Sequence, residues 1–141
     1  MIIMEEAKQK GIEILQNHNL QPNDAVMFDI DDTLIYKNMD PNAHIIELAN
    51  KSREMGYKVV IITARPDFAE NRQLTEEELR CNNIHYDLLF YSNHKNKHII
   101  KKRLSSTFVL SVGDMWTDLT DTLHFIKLPC KKLNQIEIIY A

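Results

Sequence analysis

Cysteine, proline and glycine are all scarce in this sequence of 141 residues, which has two cysteines, four prolines and three glycines. Cys81 and Cys130 lie far apart and lack the spacing of a metal site, and a chain of this length does not need a disulfide to stabilise its core. We therefore expect both thiols to be free, which favours a reducing compartment.

Long apolar runs and a large excess of one charge are also missing. No window approaches the ~18 apolar residues of a membrane span, and the start, MIIMEEAKQKGIEIL, lacks the basic and apolar regions of a secretory signal. We expect a soluble, cytoplasmic protein with no membrane partner. The net charge of −3 gives no general reason to expect nucleic acid as a partner, and we interpret the basic cluster at 95–103 as a solvated helix face.

The sequence does contain a regular alternation of short apolar runs and helical segments. The apolar runs at 25–30, 57–63, 87–91 and 107–113 are typical of strands covered on both faces, and a weaker pair follows at 124–128 and 136–140. Helical patterns cover 5–17, 41–56, 67–82 and 96–104, and another helix is predicted to begin near Trp116. This alternation predicts a three-layer, Rossmann-like α/β fold with a central, mostly parallel sheet of about five strands.

Acids follow the first predicted strand in the segment 26-VMFDIDDTLI-35. Residues that follow the strands of an open parallel sheet meet at its carboxyl edge, so Asp29 is expected near 63-TAR-65 and 113-GDMWTD-118. Closely packed carboxylates repel one another, and Mg²⁺ offsets this because it takes carboxylate and phosphate oxygens as ligands. We predict a Mg²⁺ site formed by Asp29 and Asp114, with Asp31 contributing through a nearby backbone carbonyl.

The same residues suit phosphoryl transfer. An ionised, positioned Asp29 is a competent nucleophile toward phosphorus, and Asp31 is placed to protonate the leaving group and then to activate water. The phosphoryl group also needs donors around it, which Thr63, the adjoining Ala64 and a lysine at the start of the third long helical segment after the first strand would supply.

Two further residues have more than one interpretation. Asp118 either binds the metal through water or orients a group that binds it, and we favour the orienting role. Arg65 either binds the substrate phosphate or pairs with an acid, and the sequence does not decide between them.

At these residues the chain resembles the haloacid dehalogenase-like (HAD) superfamily. FDIDDTLI is similar to its first motif, DxDxT, IITARP to the second, and VGDMWTDL to the fourth. The third motif is a lysine, which the resemblance places at Lys97, with Lys95 as the alternative. FDIDDT, GDMWTDL and ENRQLTEEELRCNNI further resemble the acid phosphatase branch, which includes bacterial class B enzymes and plant vegetative storage proteins.

The resemblance implies a HAD core with Mg²⁺ as cofactor, Asp29 as nucleophile and Asp31 as acid and base. Members often carry a cap domain after the first or second motif, but this chain has room there for little more than one helix each. We therefore predict a capless domain. Its open site implies a bulky phosphorylated substrate, or closure by the second subunit of a homo-oligomer.

We predict one HAD-like domain over residues 1–141, with an N-terminal helical extension at 1–22 and a catalytic core at 23–141. It would be a Mg²⁺-dependent phosphatase, a phosphomonoester hydrolase that works through an aspartyl-phosphate. The predicted residues comprise the catalytic Asp29 and Asp31, the phosphate-binding Thr63, Ala64 and Lys97, the metal ligands Asp29, Asp31 and Asp114, and the supporting Asp118, Arg65 and Lys95.

The same pattern has three alternative interpretations. A HAD-type phosphotransferase would use the same acids, and a non-catalytic storage or binding protein would share the scaffold. A receiver-type signalling domain also pairs acids with Mg²⁺, but it needs an acid at the end of its third strand, and 87-DLLFYSN-93 has none there.

Overall fold

The computed structural model describes residues 2–130 and 137–141 as an α/β fold, which confirms the predicted fold class. The helices are α1 (Ile2–Asn17), α2 (Ala43–Glu54), α3 (Ala69–Cys81) and α4 (Lys97–Arg103). The strands are β1 (Asp24–Phe28), β2 (Lys58–Thr63), β3 (Leu88–Tyr91), β4 (Thr107–Gly113), β5 (His124–Lys127) and β6 (Ile139–Tyr140).

These strands form a single sheet in the order β3-β2-β1-β4-β5-β6. The pairs among β1 to β5 are parallel, and β6 runs antiparallel to β5. The described residues therefore hold six strands rather than about five. Part of the predicted last strand, residue 136, lies outside the described residues.

The two faces of the sheet are covered by different helices because side chains alternate along each strand. Val26 and Phe28 of β1 belong to a core cluster that also contains buried residues of α1, α2 and α3. Ala25 and Met27 belong to the cluster on the other face, against which Ile100 of α4 packs. Each fully buried side chain of this size contributes roughly 1.5–3 kcal/mol, so the helices are held on the sheet mainly by these two layers.

The reversal of strand order at β1 determines where a site can form. β1 lies between β2 and β4, and the chain crosses from one side of β1 to the other after β3. Ligands of open parallel sheets bind outside the carboxyl ends of the strands at such a point. Asp29, Thr63 and Asp114 lie at or directly after the ends of these three central strands.

The connection between β1 and α2 is compact. The carbonyl of Ile30 accepts hydrogen bonds from the amides of Thr33, Leu34 and Ile35 at 2.9–3.1 Å, which closes one helical turn. A short hairpin follows with Met39 near its tip, where a φ of 78° lies in the left-handed region. Neither this connection nor the loop at 64–68 holds an inserted domain, as predicted for a capless chain.

Three further expectations concern the segment at Trp116, the two cysteines and membrane-spanning helices. The helix predicted near Trp116 is wrong: the chain makes one 3-10 turn, Trp116–Asp118, because the next strand begins at His124 and leaves no room for a longer helix. Both cysteines are free, with Cys81 exposed and Cys130 buried. No helix in the described part of the chain is both long and apolar enough to cross a membrane.

Candidate active site

Asp29 lies directly after β1 with a buried side chain. Its amide donates a hydrogen bond to the carbonyl of Val112 at 3.2 Å, so the backbone stays paired with β4 as it leaves the sheet. Its Oδ1 accepts a hydrogen bond from Nζ of Lys97 at 3.0 Å. The carboxylate is therefore held in place by the ammonium of Lys97 at the edge of the sheet.

Lys97 is the first residue of α4, and its side chain is fully buried. Its Nζ also donates to Oδ1 of Asp118 at 2.6 Å. Burial alone would lower the pKa of Lys97, but the adjacent carboxylates of Asp29 and Asp118 outweigh it and raise the pKa. Lys95 is exposed, so of the two lysines it is Lys97 that the fold brings to the acids.

Three buried carboxylates gather around this lysine. Oxygens of Asp29, Asp114 and Asp118 all lie within 4.8 Å of one another. Burial, and then the negative charge of Asp29, raise the pKa of both Asp114 and Asp118, although Lys97 opposes the effect on Asp118. When all three are ionised they outnumber the ammonium that bonds to them. This donor set fits a divalent cation such as Mg²⁺, which prefers carboxylate oxygens.

Gly113 leaves room for one of these carboxylates. A Cβ atom at this position would lie 2.3 Å from Oδ2 of Asp118 and 2.5 Å from its Cβ. The same Oδ2 accepts a hydrogen bond from the Met115 amide at 3.2 Å. The glycine that ends β4 is thus required for Asp118 to reach Lys97.

The structure turns the carboxylate of Asp31 away from this cluster. Its two oxygens accept hydrogen bonds from Nη2 and Nε of Arg65 at 2.9 and 3.1 Å. Among the described residues, Asp118 rather than the Asp31 side chain is the third clustered carboxylate. If Asp31 is a metal ligand, as predicted, the ligand atom must be its backbone carbonyl oxygen. Of the two interpretations of Arg65, pairing with acids is the one seen in this structure.

The segment 63-TAR-65 contributes a buried side chain and part of the lining of a cavity. Thr63 is buried, and its Oγ1 accepts a hydrogen bond from the Arg65 amide at 3.2 Å. A cavity of about 340 Å³ opens above the acids. Its lining comprises Asp29, Asp31, Lys37, Ala64, Arg65, Pro66, His94, Asp114 and Met115.

The interpretation of the 95–103 cluster as a solvated face is wrong for two of its lysines. Lys97 and Lys101 are buried, with exposed fractions of 0% and 2%. Nζ of Lys101 donates to Oγ of Ser111 at 2.9 Å and to the carbonyls of Asp118 and Thr120 at 2.6 and 2.7 Å. Burial lowers the pKa of Lys101 to about 8. Their spacing of four residues places both on one side of a helix, but the spacing does not indicate whether that side is buried.

The sequence pattern did not identify two residues that line the cavity. Lys37 and His94 line the cavity, but nothing in their spacing marks them. Lys37 lies in the hairpin after β1 and His94 in the 3-10 turn before α4, so their approach depends on loop conformation.

The raised pKa values predict how stability depends on pH. A carboxyl group with a raised pKa in the folded state stabilises the protein below its ordinary pKa, and this contribution is lost as pH rises through the folded value. Without Mg²⁺, the free energy of unfolding should therefore fall between mildly acidic and neutral pH. Mg²⁺ at 100 times its dissociation constant should add about 2.7 kcal/mol at pH 7.5, and less at pH 5, as measured by thermal unfolding.

Asp114→Asn and Asp121→Asn form a matched pair for this measurement. Asp114→Asn should be more stable than the wild type at pH 7.5 without Mg²⁺ and should gain little from the ion. Because Asp121 is exposed, the Asp121→Asn variant should be stabilised by Mg²⁺ as much as the wild type is. An equal Mg²⁺ response in both variants would contradict the proposed metal site.

Gly113→Ala tests the close approach of Asp118. The added methyl group should displace the carboxylate, lower the free energy of unfolding by about 1–3 kcal/mol and weaken the stabilisation by Mg²⁺. Gly11→Ala is the control. Its Cβ would lie 2.7 and 2.8 Å from two methyl groups of Leu48, a residue of α2, and these methyl groups can move aside. A full Mg²⁺ response in Gly113→Ala would show that Asp118 does not need this space.

Comparison with solved structures supports the fold. A chain of the Pnkp1/Rnl/Hen1 complex is similar with a TM-score of 0.58 and 23% identity, over 72% of this chain and 42% of that chain. A chain of the Pnkp1/Rnl/Hen1 RNA repair complex has a TM-score of 0.56 and 20% identity, over 72% of this chain and 40% of that chain. This chain thus matches less than half the length of either, and at this identity the likeness concerns the fold alone.

Comparison with sequences identifies the family. No curated protein matches the chain. The family model of the HAD superfamily, subfamily IIIB (acid phosphatase), matches residues 36–132, which is more than half of the 141 residues. The match contains Thr63, Lys97 and Asp114 but begins after Asp29 and Asp31. The chain therefore belongs to the acid phosphatase subfamily IIIB of the HAD superfamily, as the resemblance in its motifs predicted.

Proposed function

We propose that this protein is a Mg²⁺-dependent phosphatase that hydrolyses phosphoric monoesters through an aspartyl-phosphate on Asp29. Membership of an acid phosphatase family supports a phosphatase-type function. The observation that carries the proposal is the setting of Asp29, which lines the cavity while Lys97 holds it at 3.0 Å within a cluster of carboxylates.

The chain's own residues supply both steps of the reaction. In the first, a carboxylate oxygen of Asp29 bonds to phosphorus, the ester P–O bond breaks, and Asp31 gives its proton to the leaving oxygen. In the second, water bonds to phosphorus and gives a proton to Asp31, while the bond between phosphorus and Asp29 breaks. The products are an alcohol and inorganic phosphate, and both aspartates return to their starting state.

Burial and exposure of the two aspartates suit these different roles. Asp29 is 4% exposed and its Oδ1 accepts a hydrogen bond from Nζ of Lys97, so its carboxylate keeps a fixed position from which to attack phosphorus. The Asp31 side chain is 41% exposed and lines the cavity, so a leaving group and then a water molecule have access to it. A held nucleophile and a solvent-accessible acid and base are what the two proposed steps need.

Asp29 and Asp114, with Asp118 beside them, would hold Mg²⁺. When bound, the ion would neutralise carboxylate and phosphoryl charge. Thr63 and Ala64 would border the phosphoryl group on the side of β2, and Lys97 would stabilise its charge from beneath Asp29.

Exposed apolar side chains on the loops at the carboxyl edge of the sheet support a substrate larger than its phosphate group. Met39, Phe68 and Trp116 are 64%, 56% and 46% exposed, and they lie on the loops that follow β1, β2 and β4 at the carboxyl edge. We propose that the organic part of a bulky substrate packs against these side chains and excludes water in place of a cap domain.

Asp29→Asn should abolish turnover while the fold is retained. The amide is a poor nucleophile, so kcat for 4-nitrophenyl phosphate with Mg²⁺ should fall at least ~10³-fold, with an unchanged circular dichroism spectrum. Asp121→Asn makes the same chemical change at an exposed site and should keep wild-type activity. Near-normal hydrolysis by Asp29→Asn would contradict the assignment of Asp29 as nucleophile. Transfer of phosphate by the wild type to an added alcohol rather than to water would indicate a phosphotransferase.

Phe68→Ala should weaken binding of bulky substrates only. Because Phe68 is exposed beside the cavity-lining Pro66, its loss should raise KM for naphthyl phosphate about fivefold, which corresponds to a partly buried ring, and leave KM for ethyl phosphate unchanged. Leu74→Ala removes a similarly exposed apolar side chain from α3 and serves as the control. Equal effects of Phe68→Ala on both esters would contradict the packing proposal.

A further inference from the structure

We propose that Glu78 is a positioning residue for this reaction: it anchors Arg65, and Arg65 in turn fixes the carboxylate of Asp31 at the cavity. The inference rests on the proposed function, in which Asp31 moves the proton. Glu78 lies on α3, does not line the cavity and lies outside the HAD motifs that contain Asp29, Thr63 and Asp114. It is part of ENRQLTEEELRCNNI, whose resemblance to the acid phosphatase branch assigns it no role.

Arg65 is held between two carboxylates. Its Nε and Nη2 donate to the two oxygens of Asp31 at 3.1 and 2.9 Å, while its Nη1 and Nη2 donate to the two oxygens of Glu78 at 2.9 and 3.3 Å. Nη1 also donates to Oγ1 of Thr75 at 3.2 Å. These five hydrogen bonds match the five N–H groups of a guanidinium.

The anchoring half of this arrangement is shielded from solvent. The side chains of Arg65 and Glu78 are 15% and 14% exposed, whereas that of Asp31 is 41% exposed. An ion pair is screened less when it is partly buried than when it lies in water. The Glu78 pair is therefore the firm end of the network, and Asp31 is the end that reaches the substrate.

The planar shape of the guanidinium transmits this restraint. Because its donors form a rigid fork, fixing one edge by two hydrogen bonds sets the direction of the other edge. Thr75 and Leu79 are the buried residues of α3 and tie this part of the helix to the core. Asp31 therefore takes its orientation from a helix rather than from its own loop.

Glu78 also determines which anion Arg65 binds. With Glu78 uncharged, the guanidinium would be free to leave Asp31 for the dianionic phosphate of a substrate in the same cavity, which Arg65 also lines. Asp31 would then lose its restraint. Displacement of an acid or base by about 1 Å can reduce the rate about 100-fold.

The leaving group separates this role from a general structural one. Ethyl phosphate releases a strongly basic alkoxide and needs the proton of Asp31 as its P–O bond breaks, whereas 4-nitrophenolate leaves without it. Since kcat/KM reports the steps up to loss of the leaving group, Glu78→Gln should reduce kcat/KM for ethyl phosphate about 10- to 100-fold. For 4-nitrophenyl phosphate the reduction should be about threefold or less.

The experiment measures both esters with Mg²⁺ in the wild type, Glu78→Gln and Glu77→Gln, and repeats the Glu78 change in an Arg65→Ala background. Glu77 is the control, since it is the exposed neighbour of Glu78 on the same helix. If Glu78 acts through Arg65, Glu78→Gln should have almost no further effect once Arg65 is alanine. Thr75→Val removes the other acceptor on α3. It should lower kcat/KM for the two esters in the same pattern as Glu78→Gln, but by less.

Each result supports or overturns the inference. A selective loss with ethyl phosphate that disappears in the Arg65→Ala background supports it. Equal losses with both esters, a Glu78→Gln variant indistinguishable from Glu77→Gln, or full additivity with Arg65→Ala overturns it while leaving the proposed function intact. A wild type that hydrolyses neither ester with Mg²⁺ overturns the proposed function itself, and this inference with it.

Discussion

The crowding of three buried carboxylates against one buried ammonium is the constraint on which the rest of this structure depends. Burial of Asp29, Asp114 and Asp118 is costly when they are ionised, and Lys97 offsets only part of their charge. Such a cluster is destabilising unless a cation joins it or protons neutralise some of the carboxylates. The same imbalance that disfavours the isolated fold makes the cluster a suitable site for a cation.

The fold supports this cluster with rigid elements rather than mobile loops. Asp29 and Asp114 follow adjacent parallel strands, and Lys97 begins a helix, so the backbone of each is fixed by regular structure. Lys101, one helical turn further on, holds the carbonyls of Asp118 and Thr120 and so fixes the segment between β4 and β5. Gly113 completes the arrangement because any larger residue would occupy the place of the Asp118 carboxylate.

Much of this architecture could be predicted from the sequence because it follows from local patterns. Continuous apolar runs and their alternation with helices indicate a parallel sheet, and the parallel sheet brings Asp29, Thr63 and Asp114 to one edge. Lys97 depended on the family resemblance, since a lysine among lysines gives no local signal. The short turn at Trp116 was missed because the carbonyls of Asp118 and Thr120 accept hydrogen bonds from the distant Lys101 rather than from a continuing helix.

Side-chain pairing was less accessible than strand order. Arg65 had two interpretations, and only the fold shows it between Asp31 and Glu78, which are 34 and 13 residues away in the sequence. The buried state of Lys101 likewise depends on acceptors supplied by β4 and the turn after it. Contacts of this kind are set by how elements pack, and residue spacing alone does not encode them.

The central claim is that Asp29 and its neighbouring carboxylates form a metal site, and the most direct test is the anomalous diffraction of Mn²⁺ in crystals of the protein. The account predicts an anomalous peak within coordination distance of the carboxylates of Asp29 and Asp114, beside Asp118 and beneath the cavity. Crystals in which Mn²⁺ occupies only exposed acids, with no peak at these aspartates, would contradict it.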